Sequence, residues 1–229
     1  MASSIPSSSV RIPCQGILFD MDGVLVSSLG SVQRSWTKWA KMRGVDPAYA
    51  RSIAHGRRSI ETVARLRPDL DPEAENRIVE EMEIEDSEGI VALPGVLKLL
   101  AALPRNRWTV VTSATERLAR VRLEAGGIPA PERFVAAELV THRKPHPQPF
   151  LAGAALLGFA PEDCVVFEDA ASGARAGRAA GCTVVATAFS QPSESLDAAS
   201  YVIEDLTGVE VESLPGDEGL VLKVTPLAE

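Results

Sequence analysis

The stretch GILFDMDGVLVSS (residues 16–28) decides the fold of this chain. Its apolar run, from Ile17 to Phe19, is typical of a strand buried on both faces, and it ends abruptly at Asp20. Asp22 follows two residues later, with Gly23 directly after it. An Asp-Gly turn is the plain interpretation. Whether the two carboxylates have a catalytic or binding role therefore depends on which residues follow the other predicted strands.

Three further apolar runs, each rich in β-branched residues, resemble the first. They are WTVVTSA (108–114), CVVFEDA (164–170) and CTVVATA (182–188), each short and bounded by polar or turn residues, which indicates strands. Helical patterns separate the runs, namely GVLKLLAAL (95–103), ERLARVRLEAGG (116–127), PFLAGAALLGF (149–159) and SGARAGRAAG (172–181). Strands that alternate with helices predict an α/β fold, here a Rossmann-like parallel sheet with helices on both faces.

The segment from residue 28 to residue 91 breaks this alternation. It contains no convincing buried strand and three helical patterns, SVQRSWTKWAKMRG (31–44), SIETVARL (59–66) and PEAENRIVEEMEIEDSEGI (72–90). Because the segment follows the first strand directly, we expect a small all-helical cap domain inserted above the ligand edge of the sheet. Trp36 and Trp39 share one helix face and are predicted to form its core. The acidic run at 80–86 is interpreted as a solvated helix face and helix end.

The predicted domain organisation has three parts: a disordered Ser/Pro-rich tail (1–13), the α/β core (14–27 and 92–229) and the helical cap (28–91). The two crossings between core and cap, near 27–29 and 90–95, are candidate hinges, because a site that excludes and then admits water must open and close. The alternating apolar residues of LVLKV (220–224) indicate an extra edge strand or an arm.

Composition narrows the classes of partner. The chain has 229 residues and a formal net charge of −8, and it has no Lys/Arg cluster longer than two, which argues against nucleic-acid binding. No stretch of about 18 apolar residues is present, so no membrane span is predicted. Three widely spaced cysteines, Cys14, Cys164 and Cys182, are expected to be reduced and packed in the core of a cytoplasmic protein. A monomer is the default expectation.

The ends of the predicted strands carry the candidate chemistry. Glu168 and Asp169 follow the third apolar run as Asp20 and Asp22 follow the first, and the carboxyl ends of parallel strands meet in one crevice. Four carboxylates would repel one another at neutral pH, and a divalent cation resolves this; oxygen-only ligands favour Mg²⁺. Hydroxyls in VVTSAT and Lys144 in HRKPHP add groups that, with turn N–H donors, would bind a phosphate.

Four motifs in a fixed order carry a family resemblance. The order FDMDG, VTSA, the lysine of KPHP and VVFEDAASG resembles the haloacid dehalogenase superfamily, over roughly residues 15–205. A helical cap between the first two motifs resembles the subfamily with a cap in that place. Within it, HGRRS (55–59), LPG (93–95) and RKPHP (143–147) are similar to sugar and polyol phosphatases.

The resemblance implies a role for each motif residue. Asp20 would attack phosphorus and form an aspartyl-phosphate, and Asp22 would serve as general acid and then general base. The resemblance also implies three sets of binding residues. Mg²⁺ would be held by Asp20, Asp22, Asp169 and Glu168, and the phosphoryl group would be bound by Ser113, Ala114 and Lys144. The substrate would be contacted from the cap by His55, Arg57 and Arg58. Thr112 is expected to point the other way along its strand.

Several functions stay open at this point. The leading one is hydrolysis of a small phosphate monoester, a sugar or polyol phosphate. Val24 follows the motif where many relatives have Thr, and DGV also occurs in β-phosphoglucomutases, so a phosphomutase is the alternative. A dehalogenase would leave Asp22 and the Glu168-Asp169 pair without a use. A non-enzymatic phosphate-binding protein would need no nucleophile beside an acid/base.

Overall fold

The structure is a computed structural model that describes residues 9–54 and 59–228. Its strands are β1 (Val10–Cys14), β2 (Gly16–Phe19), β3 (Val26–Ser27), β4 (Val91–Ala92), β5 (Trp108–Val110), β6 (Cys164–Glu168), β7 (Thr183–Thr187), β8 (Tyr201–Ile203), β9 (Glu210–Ser213) and β10 (Leu220–Val224). Its α-helices are α1 (Leu29–Arg43), α2 (Pro47–Ala54), α3 (Ser59–Leu66), α4 (Pro72–Glu85), α5 (Val96–Ala102), α6 (Glu116–Ala125), α7 (Gln148–Leu157) and α8 (Ala171–Ala179). Short 3₁₀ helices lie at Arg105–Arg107, Ala137–Leu139, Pro161–Asp163, Ser193–Ser195, Leu206–Gly208 and Pro215–Asp217.

A five-stranded parallel sheet in the order β5-β2-β6-β7-β8 forms the centre of the fold, which confirms the predicted α/β class. Ile17 of β2 pairs with Trp108 on one side and with Val165 on the other. The four predicted strands all lie in this sheet. The fifth, β8, was not predicted, because it has only three residues, of which Ile203 alone is buried, and it forms no long apolar run.

Helices cover both faces of the sheet, and β2 shows why its sequence is continuously apolar. Ile17 and Phe19 point into one hydrophobic cluster and Leu18 into the other, since successive side chains of a strand face opposite sides. The Phe19 ring stacks on Phe167 of β6, with ring centroids 5.2 Å apart. This packing joins β2 and β6 close to the carboxylates that lie at their carboxyl ends.

Helices α1 to α4 lie between β3 and β4, and all of them fall within the segment predicted as the cap. Trp36 and Trp39 pack edge to face, with centroids 5.3 Å apart, in a separate hydrophobic cluster, which confirms the prediction for this pair. Strands β3 and β4, on either side of helices α1 to α4, pair in antiparallel fashion, and only Ser27 of β3 falls within the first predicted hinge segment whereas all of β4 falls within the second.

The predicted disordered tail is wrong for residues 10–13. They belong to β1, which pairs along its length with β10, from Val10 with Val224 to Cys14 with Leu220. Ile12 and Cys14 alternate with polar or exposed neighbours and are buried, so this short stretch has a strand pattern beneath its Ser/Pro-rich context. Its partner lies about 200 residues away, and sequence composition gives no sign of it.

The LVLKV stretch forms the middle strand of a second sheet instead of an edge strand or an arm. This antiparallel sheet has the order β1-β10-β9. Leu220, Leu222 and Val224 are buried in the main hydrophobic cluster of the core. The C-terminal segment is therefore a structural part of the α/β core.

Two of the predictions made from the composition concern the cysteines and the membrane-spanning helices. Cys14, Cys164 and Cys182 are free and buried, as predicted. Among residues 9–54 and 59–228, no helix combines the length and the apolar character that crossing a bilayer requires.

Candidate active site

The carboxyl ends of β2, β5 and β6 bring the predicted residues to one edge of the sheet. Asp20 follows β2, and its backbone N–H donates to the carbonyl of Phe167 at 2.9 Å, which extends the β2–β6 pairing up to the carboxylate. Glu168 is the last residue of β6, and Asp169 follows it. Both β6 carboxylates are buried.

Lys144 lies at the centre of this group. Its Nζ donates to Asp20 Oδ1 at 2.8 Å, to Glu168 Oε1 at 2.7 Å and to the Val111 carbonyl at 3.1 Å, and it lies 4.9 Å from the centre of the Phe150 ring. Burial lowers the pKa of Lys144, but the two carboxylates outweigh this effect and raise the pKa overall. The ammonium group therefore stays charged and links the strand-end carboxylates.

Glu168 is held in place through both of its oxygens. Oε1 accepts from Lys144, and Oε2 accepts from the backbone N–H groups of Asp169 and Ala170, each at 2.9 Å. Gly173 of α8 packs directly against the carboxylate: a Cβ built there would lie 1.7 Å from Oε1. The small residues of SGARAGRAAG thus allow α8 to approach the end of β6 closely.

Asp169 is contacted by two residues from other parts of the chain. Its Oδ2 accepts a short hydrogen bond from the Ser190 hydroxyl. A Cβ at Gly23 would lie 1.8 Å from the same oxygen, and Gly23 has a φ of 81°, so glycine is required there. Ser190 was missed by sequence reasoning. The available signal was its place just beyond β7, whose carboxyl end lies at the same sheet edge.

Three of the predicted ligands form a group that could hold a metal ion. One carboxylate oxygen from each of Asp20, Glu168 and Asp169 lies within 4.8 Å of the others. Burial, together with the nearby Glu168 charge, raises the pKa of Asp20 to about 7 and that of Asp169 to about 8, although Lys144 lowers both. Because all three candidate ligands are carboxylate oxygens, and burial destabilises their charged forms, a hard divalent cation would fit between them.

Asp22, predicted as a further ligand, is not part of that group. Its Oδ1 accepts from the Ser28 hydroxyl at 2.6 Å, and its Oδ2 accepts from Arg122 at 2.7 Å. The other terminal nitrogen of Arg122 donates to Glu83 at 2.8 Å. Sequence reasoning missed Arg122, because it is one of three arginines in an amphipathic helix, where such side chains ordinarily face solvent.

The interpretation of the acidic run as a solvated face is wrong for Glu83. This side chain is only 5% exposed, and burial raises its pKa to about 7 even though Arg122 opposes the shift. Helix α4 presents its acidic side to α6 of the core, where Glu80 accepts from the Thr115 hydroxyl and Glu81 pairs with Arg117. The packing of α4 against α6, which no local sequence pattern shows, decides this burial.

The predicted phosphate-binding turn follows β5. Thr112 is buried, and its hydroxyl accepts from the Ala114 backbone N–H at 3.1 Å, while Ser113 is exposed. The Ala114 carbonyl accepts from Ala137 at 2.9 Å. Thr112 thus uses its hydroxyl within the turn, and Ser113 has the more accessible hydroxyl of the two.

The predicted cap contacts to substrate, His55, Arg57 and Arg58, lie outside the described residues. They fall between the end of α2 at Ala54 and the start of α3 at Ser59. Their roles remain predictions.

The fold and this edge of the sheet define an α/β protein with a cluster of carboxylates beyond the ends of its parallel strands. Comparison with known families is more specific: the chain belongs to the haloacid dehalogenase-like hydrolases, whose family model matches residues 14–181. The family resemblance inferred from the four motifs is thereby confirmed.

Individual relatives share much of the chain's length. The chain is 39% identical over 213 residues to hexitol phosphatase A of Escherichia coli, covering 91% of this chain and 99% of that protein. It is 36% identical over 196 residues to glycerol-1-phosphate phosphohydrolase 1 of Saccharomyces cerevisiae, covering 80% and 78%. Among solved structures, CbbY from Rhodobacter sphaeroides in complex with phosphate superposes with a TM-score of 0.74 at 25% identity, covering 85% of this chain and 95% of that one.

Proposed function

We propose that this chain is a Mg²⁺-dependent phosphatase that hydrolyses sugar or polyol phosphates through an aspartyl-phosphate on Asp20. The observation that carries the proposal is the environment of the Asp20 carboxylate. Lys144 fixes Oδ1 at 2.8 Å, and none of the described residues donates a hydrogen bond to Oδ2. One oxygen is thus held by a buried cation while the other is left for a ligand, the arrangement that a nucleophilic carboxylate needs.

The proposed reaction has two steps. An Asp20 oxygen attacks phosphorus, the bond from phosphorus to the leaving oxygen breaks, and Asp22 gives its proton to the departing alcohol. Asp22 then takes a proton from water, which attacks the aspartyl-phosphate, so that inorganic phosphate and free Asp20 are released. Lys144 and the exposed Ser113 hydroxyl bind the phosphoryl oxygens in both steps.

A metal ion would be held by Asp20 and Asp169, with Glu168 oriented beside them by Lys144 and the backbone. When bound, Mg²⁺ supplies positive charge that offsets the anionic nucleophile and the transferring phosphoryl group. Ser190 keeps Asp169 oriented through its hydroxyl.

Sugar and polyol phosphates are favoured because the two relatives described above are named for hexitol and glycerol phosphates. The match to the first of them spans 99% of that protein and 91% of this chain. We propose that His55, Arg57 and Arg58 contact the hydroxyls or the phosphate of the substrate.

The test is phosphate release by the purified protein with Mg²⁺ across hexitol, glycerol and hexose phosphates. We expect turnover on at least one ester, and its loss in EDTA and in Asp20→Asn. Asp197→Asn is the matched control, since Asp197 is an exposed aspartate far from the cluster in sequence. No release from any ester would contradict the proposal, and conversion of β-glucose 1-phosphate to the 6-phosphate would establish the phosphomutase alternative.

A further inference from the structure

Three acidic side chains of α4 in the cap meet the core helix α6. Glu80 accepts from the Thr115 hydroxyl at 2.5 Å, and Glu81 pairs with Arg117 at the surface, where both side chains are more than half exposed. Glu83 differs from these two because it is buried against Arg122. Exposed ion pairs contribute little to stability, whereas removing one partner of a buried pair leaves an uncompensated buried charge.

Arg122 is shared between the cap and the proposed acid/base. One terminal nitrogen lies 2.7 Å from Asp22 Oδ2, the other lies 2.8 Å from Glu83 Oε2, and the side chain is 6% exposed. Its Nε is buried and has no hydrogen-bond partner among the described residues. The guanidinium is therefore held by two carboxylates, one on each side of the boundary between core and cap.

The second partner of Asp22 also belongs to the cap junction. Ser28, whose hydroxyl donates to Asp22 Oδ1, immediately precedes α1 and follows β3. Both oxygens of Asp22 are thus engaged by groups whose positions depend on the cap, directly through Ser28 and indirectly through Arg122 and Glu83. These two contacts compete with any contact that Asp22 makes to a leaving oxygen.

We propose that Arg122 is a positioning residue for Asp22, and that Glu83 makes this positioning depend on where the cap lies. The inference rests on the proposed phosphatase function. Movement of α4 relative to α6 changes the distance from Arg122 to Glu83, and with it the strength of the contact between Arg122 and Asp22. Without the Glu83 charge, Arg122 interacts with Asp22 alone and holds it more strongly, so proton transfer to the leaving oxygen slows.

Glu83→Gln tests the proposal, with Glu81→Gln as the matched control. Both remove one negative charge from the same helix, but only the first changes the partner of Arg122. Each variant is assayed on an alkyl phosphate and on p-nitrophenyl phosphate, with the initial burst of p-nitrophenol as the measure of phosphoryl transfer. An alkoxide needs a proton as it leaves, whereas p-nitrophenolate is a stable leaving group that does not.

For Glu83→Gln we expect kcat on the alkyl phosphate to fall by about tenfold or more, with the p-nitrophenol burst changed by less than about threefold. Glu81→Gln is expected to leave both rates within about twofold of wild type. Arg122→Lys, which keeps the charge but not the two-sided contact, should show the same leaving-group dependence as Glu83→Gln. Equal losses on both substrates, or no loss on either, would overturn the proposal.

A second measurement separates this inference from the proposed function. Hydrogen exchange of α4 and α6 followed by mass spectrometry should be faster in Glu83→Gln than in wild type, and unchanged in Glu81→Gln. Exchange that is the same in Glu83→Gln and wild type would overturn the role of Glu83 even in a protein that turns nothing over. A wild-type chain without activity on any ester refutes the phosphatase instead, and the exchange data then decide the cap contact alone.

Discussion

Replacing Gly173 by alanine tests the importance of Glu168 without altering a charged group. The new Cβ would lie 1.7 Å from Glu168 Oε1 and 1.9 Å from Cδ, so the carboxylate has to move by roughly 1 Å or more to reach an ordinary contact distance. That movement breaks hydrogen bonds of 2.7 Å to Lys144 and of 2.9 Å to the N–H groups of Asp169 and Ala170.

Two effects of opposite sign set the magnitude. Alanine stabilises a helix relative to glycine by about 0.5–1 kcal/mol. Disrupting a buried ion pair costs about 3–5 kcal/mol, so we expect the free energy of unfolding to fall by about 2–4 kcal/mol. Because Lys144 also fixes Asp20, and a displacement of about 1 Å near reacting atoms costs roughly 100-fold, we expect kcat to fall by about that factor.

Gly177→Ala is the matched control on the same helix. Its Cβ would meet Val184 at 2.9 Å and Val166 at 3.3 Å, so the strain falls on apolar side chains and not on the carboxylate. Overpacking of this kind costs about 1–3 kcal/mol, with kcat expected within about twofold of wild type. Urea unfolding and phosphate release are measured for both variants. A Gly173→Ala protein with wild-type stability and kcat within about threefold of wild type would refute the reasoning.

Three further predictions concern the metal site and the C-terminal strand. Lys144→Met leaves buried carboxylates without their cation, so the free energy of unfolding in EDTA should fall by about 3 kcal/mol. The loss should be smaller in saturating Mg²⁺, because the bound ion stabilises the folded variant. Equal losses by urea unfolding in both buffers would argue against a site where Lys144 and Mg²⁺ contact the same carboxylates. The raised pKa values of Asp20 (about 7) and Asp169 (about 8) mean that the metal-free fold binds protons more tightly than the unfolded chain, whose aspartates have a pKa of 3.8. Their stabilising contribution is therefore complete only below about pH 4, and it is lost progressively as the pH rises from there to 7–8. Mg²⁺ affinity should rise over the same range with release of protons, and calorimetry in buffers of different ionisation enthalpy that shows no proton release would contradict this. Deleting residues 220–229 removes the middle strand of the second sheet and exposes core that β10 covers, so we expect the truncated chain to lose its cooperative thermal transition, whereas a truncated chain that melts like wild type would show β10 to be dispensable.

Local patterns were sufficient for four of the five strands of the central sheet and for most of the candidate site. Residues 17–19 are apolar without interruption because a middle strand of a parallel sheet is buried on both faces, so the strand and its end at Asp20 are visible in the sequence. Parallel strands present their carboxyl ends at one edge, and that rule alone placed Asp20, Glu168 and Asp169 together. The Trp36–Trp39 pair was predictable for a similar reason, since spacing along a helix defines a shared face.

Contacts between segments far apart in sequence were not predictable in this way. The partner of β1 is β10, some 200 residues later, and Ser190 reaches Asp169 from a loop with no motif of its own. The local sequence predicts that Glu83 is exposed like the other acidic residues of its helix, but packing of α4 against α6 buries it beside Arg122.

The sequence by itself determined the class of fold, the residues at the strand ends and the chemistry they can perform, because these depend on local periodicity and on which side chains follow a strand. Tertiary structure alone decided which partners hold those side chains: Lys144 between Asp20 and Glu168, and Arg122 between Asp22 and Glu83. The physical reason is that the burial and pairing of a charge depend on the packing of whole elements against one another, and no pattern within one element records that packing.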